Sequence, residues 1–320
     1  MPIRYLSEKV LEQLAIPAGS IVESIEEAIR RAADRMAWTA PKSVVLPEDG
    51  RYVMATLAAS DDPPHVGVKA VVLNPHNAAK GLPSINGVVT LINSHSGDPC
   101  GLIDGKWVTA VRTAGLSILA AKYLAREDSR SVALLGCGVQ ARAHLSALAD
   151  AYPLETVLIF GRGQDNIDRM TDLAQSLGLA VRQVHDAHEA LANADLIVSS
   201  LTRDPNRAPF LNARALQPGA FATITDLAEP WHQNSLDGLD RIVIDDAEQE
   251  RTADIKLVRP DLVHGDLSDL VLGRVPGRKG AGERTAFIFR GYGLADLAIA
   301  SLALATAENA NVGQVISEED

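Results

Sequence analysis

A buried strand that ends in a glycine turn and continues into a helix constrains the fold of this chain most strongly. The strand covers residues 132–135, and the turn after it reads Gly136-Cys137-Gly138-Val139-Gln140-Ala141. The first glycine allows a tight bend, the second lets the backbone approach a phosphate, and the small Ala141 lets helix and strand pack closely. The helix start near Val139 also presents free N–H groups to an anion. The pattern favours binding of a dinucleotide pyrophosphate over a purely structural turn.

From residue 131 onward, strand and helix patterns alternate along the chain. Such alternation is typical of a parallel sheet that is covered by helices on both faces. The predicted strands are 132–135, 156–160, 180–184, 195–200, 220–225 and 241–244, and the predicted helices are 141–151, 165–177 and 188–194. We therefore predict an α/β domain with a Rossmann-type, doubly wound parallel sheet.

The segment before this domain has a different pattern and predicts a second, α+β domain. Its predicted strands are 2–5, 52–58, 66–73 and 87–92, the last three antiparallel, and its predicted helices are 21–38 and 107–123. A helix over 294–307 is apolar nearly all round and must be buried. We expect it to return to the N-terminal domain or to a subunit interface. Residues 1–115 together with 297–320 would then form a discontinuous substrate-binding and dimerisation domain, and residues 116–296 the dinucleotide-binding domain.

The charge of the chain limits its partners. The 320 residues carry a formal net charge of −11 at pH 7, so no basic field attracts nucleic acid or an anionic membrane. The N-terminus lacks the basic and apolar regions of a secretion signal. Cys100 and Cys137 lie far apart, and His185 and His188 fit a solvated helix start better than a metal site. We expect a cytoplasmic protein that binds no metal and acts on a small molecule.

The end of the second strand of the dinucleotide domain bears on the choice of cofactor. This position commonly carries an acidic residue that binds the ribose 2′-hydroxyl of NAD. Here the strand ends in Phe160-Gly161-Arg162-Gly163. A carboxylate would repel a 2′-phosphate, whereas the Arg162 guanidinium can bind it through two hydrogen bonds. The pattern favours NADP(H) over NAD(H). An Arg162 that only faces solvent, with Asp165 at the ribose, is the alternative.

Three charged side chains stand out against apolar surroundings. Lys69 lies in an otherwise apolar strand, and the alternation leaves open whether it is buried or faces solvent. Arg112 lies at an apolar helix start between Thr109 and Thr113, where it can bind a carboxylate or form a salt bridge between helices. Asp226 follows a predicted strand at its carboxyl end, the sheet edge at which open α/β folds bind ligands.

In their order and spacing, these residues resemble the ornithine cyclodeaminase/mu-crystallin family. The resemblance runs from about residue 41 to residue 307, and it is carried by Gly67-Val68-Lys69 and by residues 81–87, 91–99, 107–114, 136–141 and 276–278. It implies a homodimer whose chains combine a Rossmann domain with a mixed substrate-binding and dimerisation domain. It also implies an α-amino or α-imino carboxylate beside a nicotinamide.

By position, the resemblance implies that Lys69 and Arg112 bind the substrate carboxylate, and Lys69 is also a candidate catalytic residue. Asp226 matches the catalytic aspartate of the family. The loop after it differs from the family's usual glycine-rich loop, so Glu229 is the rival for that role.

Two further substrate-binding candidates depart from the family pattern. Lys42 stands where many members have an arginine that grips the carboxylate, and Tyr52 stands where the cyclodeaminases carry a glutamate that holds ornithine. The cofactor-binding candidates are Thr113, Gly136, Gly138, Val139, Gln140, Ala141, Gly161 and Arg162.

Together these features predict the NAD(P)H-dependent reduction of a small cyclic α-imino acid to the amino acid. The substrate would be Δ1-pyrroline-2-carboxylate or a six-membered analogue. One alternative is an ornithine cyclodeaminase, which forms proline and ammonia, although Tyr52 and the Gly161-Arg162 pair count against it. The others are a redox-neutral hydroxyproline dehydratase and a non-catalytic NADPH-binding protein like mu-crystallin.

Overall fold

The strands of this protein form two separate sheets, one in each of two compact units. The structure is a computed structural model that describes residues 2–204 and 206–317, and only the backbone of residue 78. The first unit comprises Met1–Arg112 and Tyr292–Asp320, and the second comprises Thr113–Gly291. The acidic end of the chain, 318–320, lies outside the described residues.

Within the described residues, the strands are β1 (Ile3–Leu6), β2 (Ala37–Val45), β3 (Tyr52–Asp61), β4 (Pro64–Leu73), β5 (Ile85–Asn93), β6 (Pro99–Asp104), β7 (Ser131–Leu135), β8 (Thr156–Phe160), β9 (Ala180–Gln183), β10 (Leu196–Ser199), β11 (Phe221–Ile224), β12 (Arg241–Ile244), β13 (Val263–Asp266), β14 (Thr285–Ile288) and β15 (Gln314–Ile316). The α-helices are α1 (Glu8–Gln13), α2 (Ala18–Ala33), α3 (Gly105–Leu124), α4 (Val139–Ala151), α5 (Gln164–Ser176), α6 (Ala187–Ala192), α7 (Ala247–Thr252), α8 (Leu267–Val271) and α9 (Gly293–Asn309).

The first unit contains a mixed sheet in the order β15-β1-β6-β5-β4-β3-β2. The predicted antiparallel pairing of β3, β4 and β5 is confirmed. Strand β1, in contrast, pairs in parallel with β6. Helix α9 packs on this sheet, against β2 to β5, and against α2. Its predicted burial is confirmed, because most of its residues are inaccessible to solvent.

The prediction of one helix over residues 21–38 is wrong at its C-terminal end. Helix α2 stops at Ala33, and Trp38 lies in β2. Arg35 adopts a left-handed φ of 61°, and the next N–H donates to the carbonyl five residues earlier at 2.8 Å. This is the hydrogen bonding of a Schellman cap, in which Arg35 takes the place that glycine usually fills.

The described residues of the second unit form eight parallel strands in the order β13-β12-β14-β11-β10-β7-β8-β9. This topology confirms the predicted α/β fold with a doubly wound sheet. Strand β7 pairs with β8 on one side and with β10 on the other, so the chain winds outward from β7 in both directions. Open α/β sheets bind ligands at the carboxyl ends of the strands where the winding reverses. The glycine turn follows β7 at this point.

Two strands of the second unit, β13 and β14, are absent from the predicted set. Each is four residues long. β13 contains a histidine, a glycine and an aspartate, and β14 is buried on both faces, so neither shows an alternating hydrophobic period. Among residues 2–204 and 206–317, no helix is long and apolar enough to cross a membrane.

Candidate functional site

Lys69 is buried in the first unit, on the face of the sheet that α9 covers. The exposure pattern of β4 places Gly67, Lys69 and Val71 on the buried face, which settles the question that strand alternation left open. A buried ammonium requires hydrogen-bond and charge partners. The Lys69 Nζ atom donates to Oδ1 of Asp296 at 2.6 Å and to Oγ1 of Thr109 at 3.4 Å.

Asp296, on α9, connects this lysine to two further side chains. Its Oδ1 atom lies 3.1 Å from Nε of Arg112, and its Oδ2 atom accepts a hydrogen bond from Oγ1 of Thr56 at 2.9 Å. The side chains of Arg112 and Asp296 are only 5% and 4% exposed. Arg112 therefore forms the salt bridge between helices, α3 and α9, that the sequence offered as one of its two roles. We call Lys69, Arg112, Asp296 and Thr56 the Lys69 cluster.

The sequence reasoning missed Asp296. A signal for it exists, because Asp296 is the sole charged residue in the apolar stretch 293–307. A lone acid on a helix that must be buried predicts a cationic partner inside the protein.

The Lys69 cluster carries a surplus positive charge. Burial, and then the charge of Arg112, lower the pKa of Lys69 to about 8 although Asp296 opposes this shift. Burial alone would raise the pKa of Asp296, but the charges of Lys69 and Arg112 and two hydrogen bonds hold it below its usual value. Below pH 8 the cluster thus holds two cations and one anion. A buried surplus of this kind favours an incoming carboxylate.

Lys42 and Tyr52, the other two substrate-binding candidates, belong to the same sheet. Lys42 lies between Ala40 and Ser43, where the register of β2 against β3 shifts, and its charge lowers the pKa of Lys69 further. Tyr52 is partly buried, and strand alternation places it on the same face as Thr56. The charge of Lys42 therefore acts on Lys69. Tyr52 lies farther along β3, on the sheet face that carries Thr56.

The glycine turn of the second unit fits the pyrophosphate of a dinucleotide. Gly136 has a φ of +102°, and a Cβ atom there would lie 2.8 Å from the carbonyl oxygen of Ser200, so the bend requires glycine. Gly138 is the N-cap of α4, makes no side-chain capping bond, and faces open space. The first N–H groups of α4, beginning at Val139, lack a side-chain cap and are oriented for an anion. Ala141 is fully buried against the strand.

A buried histidine, which the sequence reasoning missed, anchors α4 from behind. Nδ1 of His144 lies 2.7 Å from the carbonyl oxygen of Gln140, and Nε2 lies 2.8 Å from Oγ of Ser117. The carbonyl requires an N–H on Nδ1, and the Ser117 hydroxyl also donates to the Thr113 carbonyl at 3.1 Å. Ser117 also bonds Thr223 at 2.7 Å. This network ties α4 to α3 and β11.

The end of β8 is basic and closely packed. A Cβ atom on Gly161 would lie 2.6 Å from Sγ of Cys137, so close packing against Cys137 accounts for the glycine at this position. Arg162 is exposed. Arg142 donates to the Cys137 carbonyl at 3.0 Å, and burial followed by the charge of Arg169 lowers the pKa of Arg142. Three arginines therefore lie on the elements that flank the end of β8.

Asp226 is held at the carboxyl end of β11 by donors to one oxygen only. Its Oδ2 atom accepts from Oγ of Ser199 at 2.6 Å and from the Leu201 N–H at 3.2 Å, and Ser199 itself accepts from Nε1 of Trp231 at 3.0 Å. Its Oδ1 atom is buried and has no hydrogen-bond partner within the described residues. Burial raises the pKa of Asp226 to about 6 in spite of these hydrogen bonds.

The backbone after Asp226 is strained. Leu227 and Ala228 have left-handed φ values of 59° and 55°, which cost of the order of 1 kcal/mol each without glycine. The rival carboxylate, Glu229, is exposed and accepts a hydrogen bond from Nε of Arg203 at 2.8 Å. The surroundings of Asp226 suit an acid–base group, whereas those of Glu229 suit a surface ion pair.

These features define a two-unit α/β protein with a dinucleotide-type glycine turn in one unit and a buried cationic cluster in the other. The sequence model of the ornithine cyclodeaminase/mu-crystallin family matches residues 5–311, and the chain belongs to this family.

Three proteins illustrate the relationship. The chain is 34% identical over 250 residues to a Rhizobium meliloti (strain 1021) protein that carries the name of a dehydrogenase, covering 74% of this chain and 75% of that protein. Its fold matches the Thermococcus litoralis Δ1-pyrroline-2-carboxylate reductase, solved with NADH and L-proline, with a TM-score of 0.89 and 26% identity over 98% of this chain and 100% of that one. An archaeal alanine dehydrogenase dimer with bound NAD matches with a TM-score of 0.85 and 26% identity over 99% and 100%.

Proposed function

We propose that this protein is an NADPH-dependent reductase of a small cyclic α-imino acid, of the type of Δ1-pyrroline-2-carboxylate. At the coarser level, the family and its solved members support a nicotinamide-dependent enzyme of amino-acid or imino-acid chemistry. The observation that carries the finer proposal is Asp226, a carboxyl group with a pKa of about 6 and one oxygen without a partner in the described residues.

The Lys69 cluster binds the substrate carboxylate in this proposal. Lys69 and Arg112 provide the surplus charge, and Lys42 adds a third cation in electrostatic range of Lys69. Because Asp296 already fixes the ammonium and the guanidinium, little side-chain entropy is lost when the carboxylate binds. A fixed carboxylate also fixes the adjacent imine carbon.

Asp226 supplies the proton that the imine nitrogen gains. Because Oδ2 already accepts two hydrogen bonds, the proton of the neutral acid resides on Oδ1. Once the proton has moved, the Asp226 carboxylate stabilises the positively charged iminium nitrogen, and an iminium carbon is the better hydride acceptor. The reduced nicotinamide supplies the hydride when bound. The C=N bond thereby becomes a CH–NH bond, and Asp226 is left as a carboxylate.

The glycine turn, from Gly136 to Ala141, would hold the pyrophosphate of the cofactor. The solved relatives contain NADH or NAD, which supports a nicotinamide dinucleotide without deciding on the 2′-phosphate. The preference for NADP(H) rests on Arg162, supported by Arg142 and Arg169 and by the missing acidic side chain at Gly161. Thr113 stays a predicted cofactor-binding residue.

We also propose a homodimer. The face of the first unit's sheet opposite α9 carries Tyr5, Trp38, Leu57 and Val88, each at least 36% exposed. Strand register connects this face across β1, β6, β5, β4, β3 and β2. An apolar surface that extends over several strands is typical of a subunit interface. Light scattering after gel filtration should give twice the mass of the chain.

A fluorescence titration with NADPH and NADH, followed by a panel of cyclic and linear α-imino acids, tests the function. We expect tighter NADPH binding and NADPH oxidation with cyclic imino acids. Ammonia release from ornithine without net cofactor consumption would instead indicate a cyclodeaminase, and product formation from hydroxyproline without reductant a dehydratase. Tight NADPH binding without turnover would indicate a binding protein.

A further inference from the structure

We infer that Asp296 is a positioning residue, which acts through Lys69 and Arg112 to hold both cations in place for the substrate carboxylate. The inference rests on the proposed function for the identity of that carboxylate. Asp296 does not itself need to contact substrate, because its two oxygens are already used by side chains of the first unit.

The geometry supports a positioning role. A single oxygen, Oδ1, lies 2.6 Å from Nζ of Lys69 and 3.1 Å from Nε of Arg112. One atom on α9 thus fixes a side chain from β4 and another from α3. Thr56, on β3, donates to the second oxygen at 2.9 Å and limits rotation of the carboxylate. All four side chains are buried, so the loss of one of these contacts leaves a polar group that bulk water solvates poorly.

The charges of the cluster determine what Asp296 does. The charged groups around Lys69 are Arg112 from α3, Asp296 from α9 and Lys42 from β2. The residue that pairs with Lys69 on β5, Val89, is apolar. Of these charged groups, Asp296 alone favours the protonated lysine. A neutral side chain at 296 would leave three cations together, and the buried lysine would lose its proton at a lower pH.

This role has a measurable pH signature. Lys69 has a pKa of about 8, so carboxylate affinity in the wild type should decline as the pH rises through 8. Asp296→Asn keeps the size of the side chain and removes only its charge. We expect the decline to move to lower pH by about one unit or more, since a nearby opposite charge commonly shifts a pKa by that amount.

The probe is pyrrole-2-carboxylate, a flat carboxylate that cannot be reduced, and its affinity for the NADPH-loaded protein is measured by calorimetry across the pH range. Asp195→Asn is the matched control, because Asp195 is a partly buried aspartate of the second unit, paired with Arg126 at 2.6 Å. The Asp195→Asn variant should be less stable, but its carboxylate affinity should decline over the same pH range as that of the wild type. A purely structural role for Asp296 would make its variant behave like this control, and that result would overturn the inference.

Stability provides a second test if Asp296→Asn folds poorly. Adding Lys69→Met to that variant removes the unpaired ammonium, so the double variant should melt at a higher temperature than Asp296→Asn alone. A double variant no more stable than the single one contradicts the inference. A wild type that binds no pyrrole-2-carboxylate also contradicts it. If the wild type binds the probe with the expected pH dependence but reduces no imino acid, the proposed function fails while the role of Asp296 stands.

Discussion

The two units prepare for their ligands in opposite ways. In the first unit, the side chains of the Lys69 cluster are paired with one another through Asp296, although Nε of Arg112 makes an ion pair without a hydrogen bond in the described residues, and their charge is unbalanced. In the second unit, individual atoms are left without protein partners: Oδ1 of Asp226 has none in the described residues, and α4 has no side-chain cap. The backbone after Asp226 is also strained at Leu227 and Ala228.

This difference follows from the chemistry that each unit has to perform. A carboxylate is bound best by cations that are already in place, because fixing long side chains during binding costs free energy. A group that transfers a proton must instead keep a free position for the reacting atom. We therefore expect the change at Asp226 to affect kcat most, and changes in the Lys69 cluster to affect the KM for the imino acid and its pH dependence.

The largest effect is expected for Asp226→Asn, which removes the proton donor but keeps the shape of the side chain. The rate of imine reduction, kcat, should fall about 10²- to 10⁴-fold, the usual contribution of a general acid. Glu229→Gln is the matched control and should stay within about threefold, because Glu229 forms only an exposed ion pair. If Glu229→Gln loses the activity and Asp226→Asn keeps it, the two carboxylates have been assigned the wrong way round.

Lys69→Met should lower kcat/KM for the imino acid about 10²- to 10³-fold, since one partner of a desolvated charge pair is lost. The affinity for NADPH should not change. Lys106→Met, on the same helix as Arg112, is the control, because Lys106 pairs with Glu8 at 2.6 Å and is 25% exposed. A variant without Lys69 that keeps the wild-type KM would show that the carboxylate binds elsewhere.

The pH dependence of kcat/KM should report on one titrating residue from each unit. Asp226 must be protonated to donate, and its pKa is raised to about 6, so kcat/KM should decrease as the pH rises above 6. A second decrease should follow above 8, where Lys69 loses its charge. Asp226→Asn should lack the first decrease. A wild-type profile that is flat from pH 5 to pH 9 would contradict the roles of both residues.

The cofactor preference should depend on Arg162. Arg162→Ala should raise the KM for NADPH about tenfold or more and leave the KM for NADH unchanged, because hydrogen bonds to a charged group contribute about 1.5–3 kcal/mol. Introducing an acid for NAD through Gly161→Asp should succeed only together with Cys137→Ala, since a Cβ at 161 would lie 2.6 Å from the thiol sulfur. Equal losses with the two cofactors would place Arg162 away from the 2′-phosphate.

The smallest effect is expected for Ser199→Ala. The Ser199 hydroxyl donates to Asp226 at 2.6 Å and lowers its pKa, so its removal should move the first decrease in kcat/KM to higher pH by about one unit. The rate at low pH should change little. A shift to lower pH would contradict the assignment of that decrease to Asp226.

The sequence predicted the second unit better than the first for a physical reason. Strand β7, the bend at Gly136 and helix α4 are contiguous, so local patterns define them. The Lys69 cluster joins residues 56, 69, 112 and 296, and no local pattern shows which of them meet. Alternation alone could not decide the burial of Lys69, because the deciding element, α9, lies more than 200 residues away in sequence.

Each error of the sequence prediction has an identifiable physical cause. Helix α2 ends early because Arg35 takes a left-handed conformation that arginine rarely adopts. Strand β13 was not predicted, because its pairing with β12 defines it and its side chains show no regular period. Asp296 was missed because the helix was interpreted from its apolar residues alone.

The most direct test of the central claim, imine reduction, follows the hydride itself. NADPH labelled with deuterium at both C4 positions of the nicotinamide is incubated with the wild-type protein and Δ1-pyrroline-2-carboxylate, and the product is examined by NMR. We predict proline with deuterium on its α-carbon, formed with consumption of an equal amount of NADPH. Proline without deuterium, or no consumption of NADPH while the protein binds both ligands, would contradict the account.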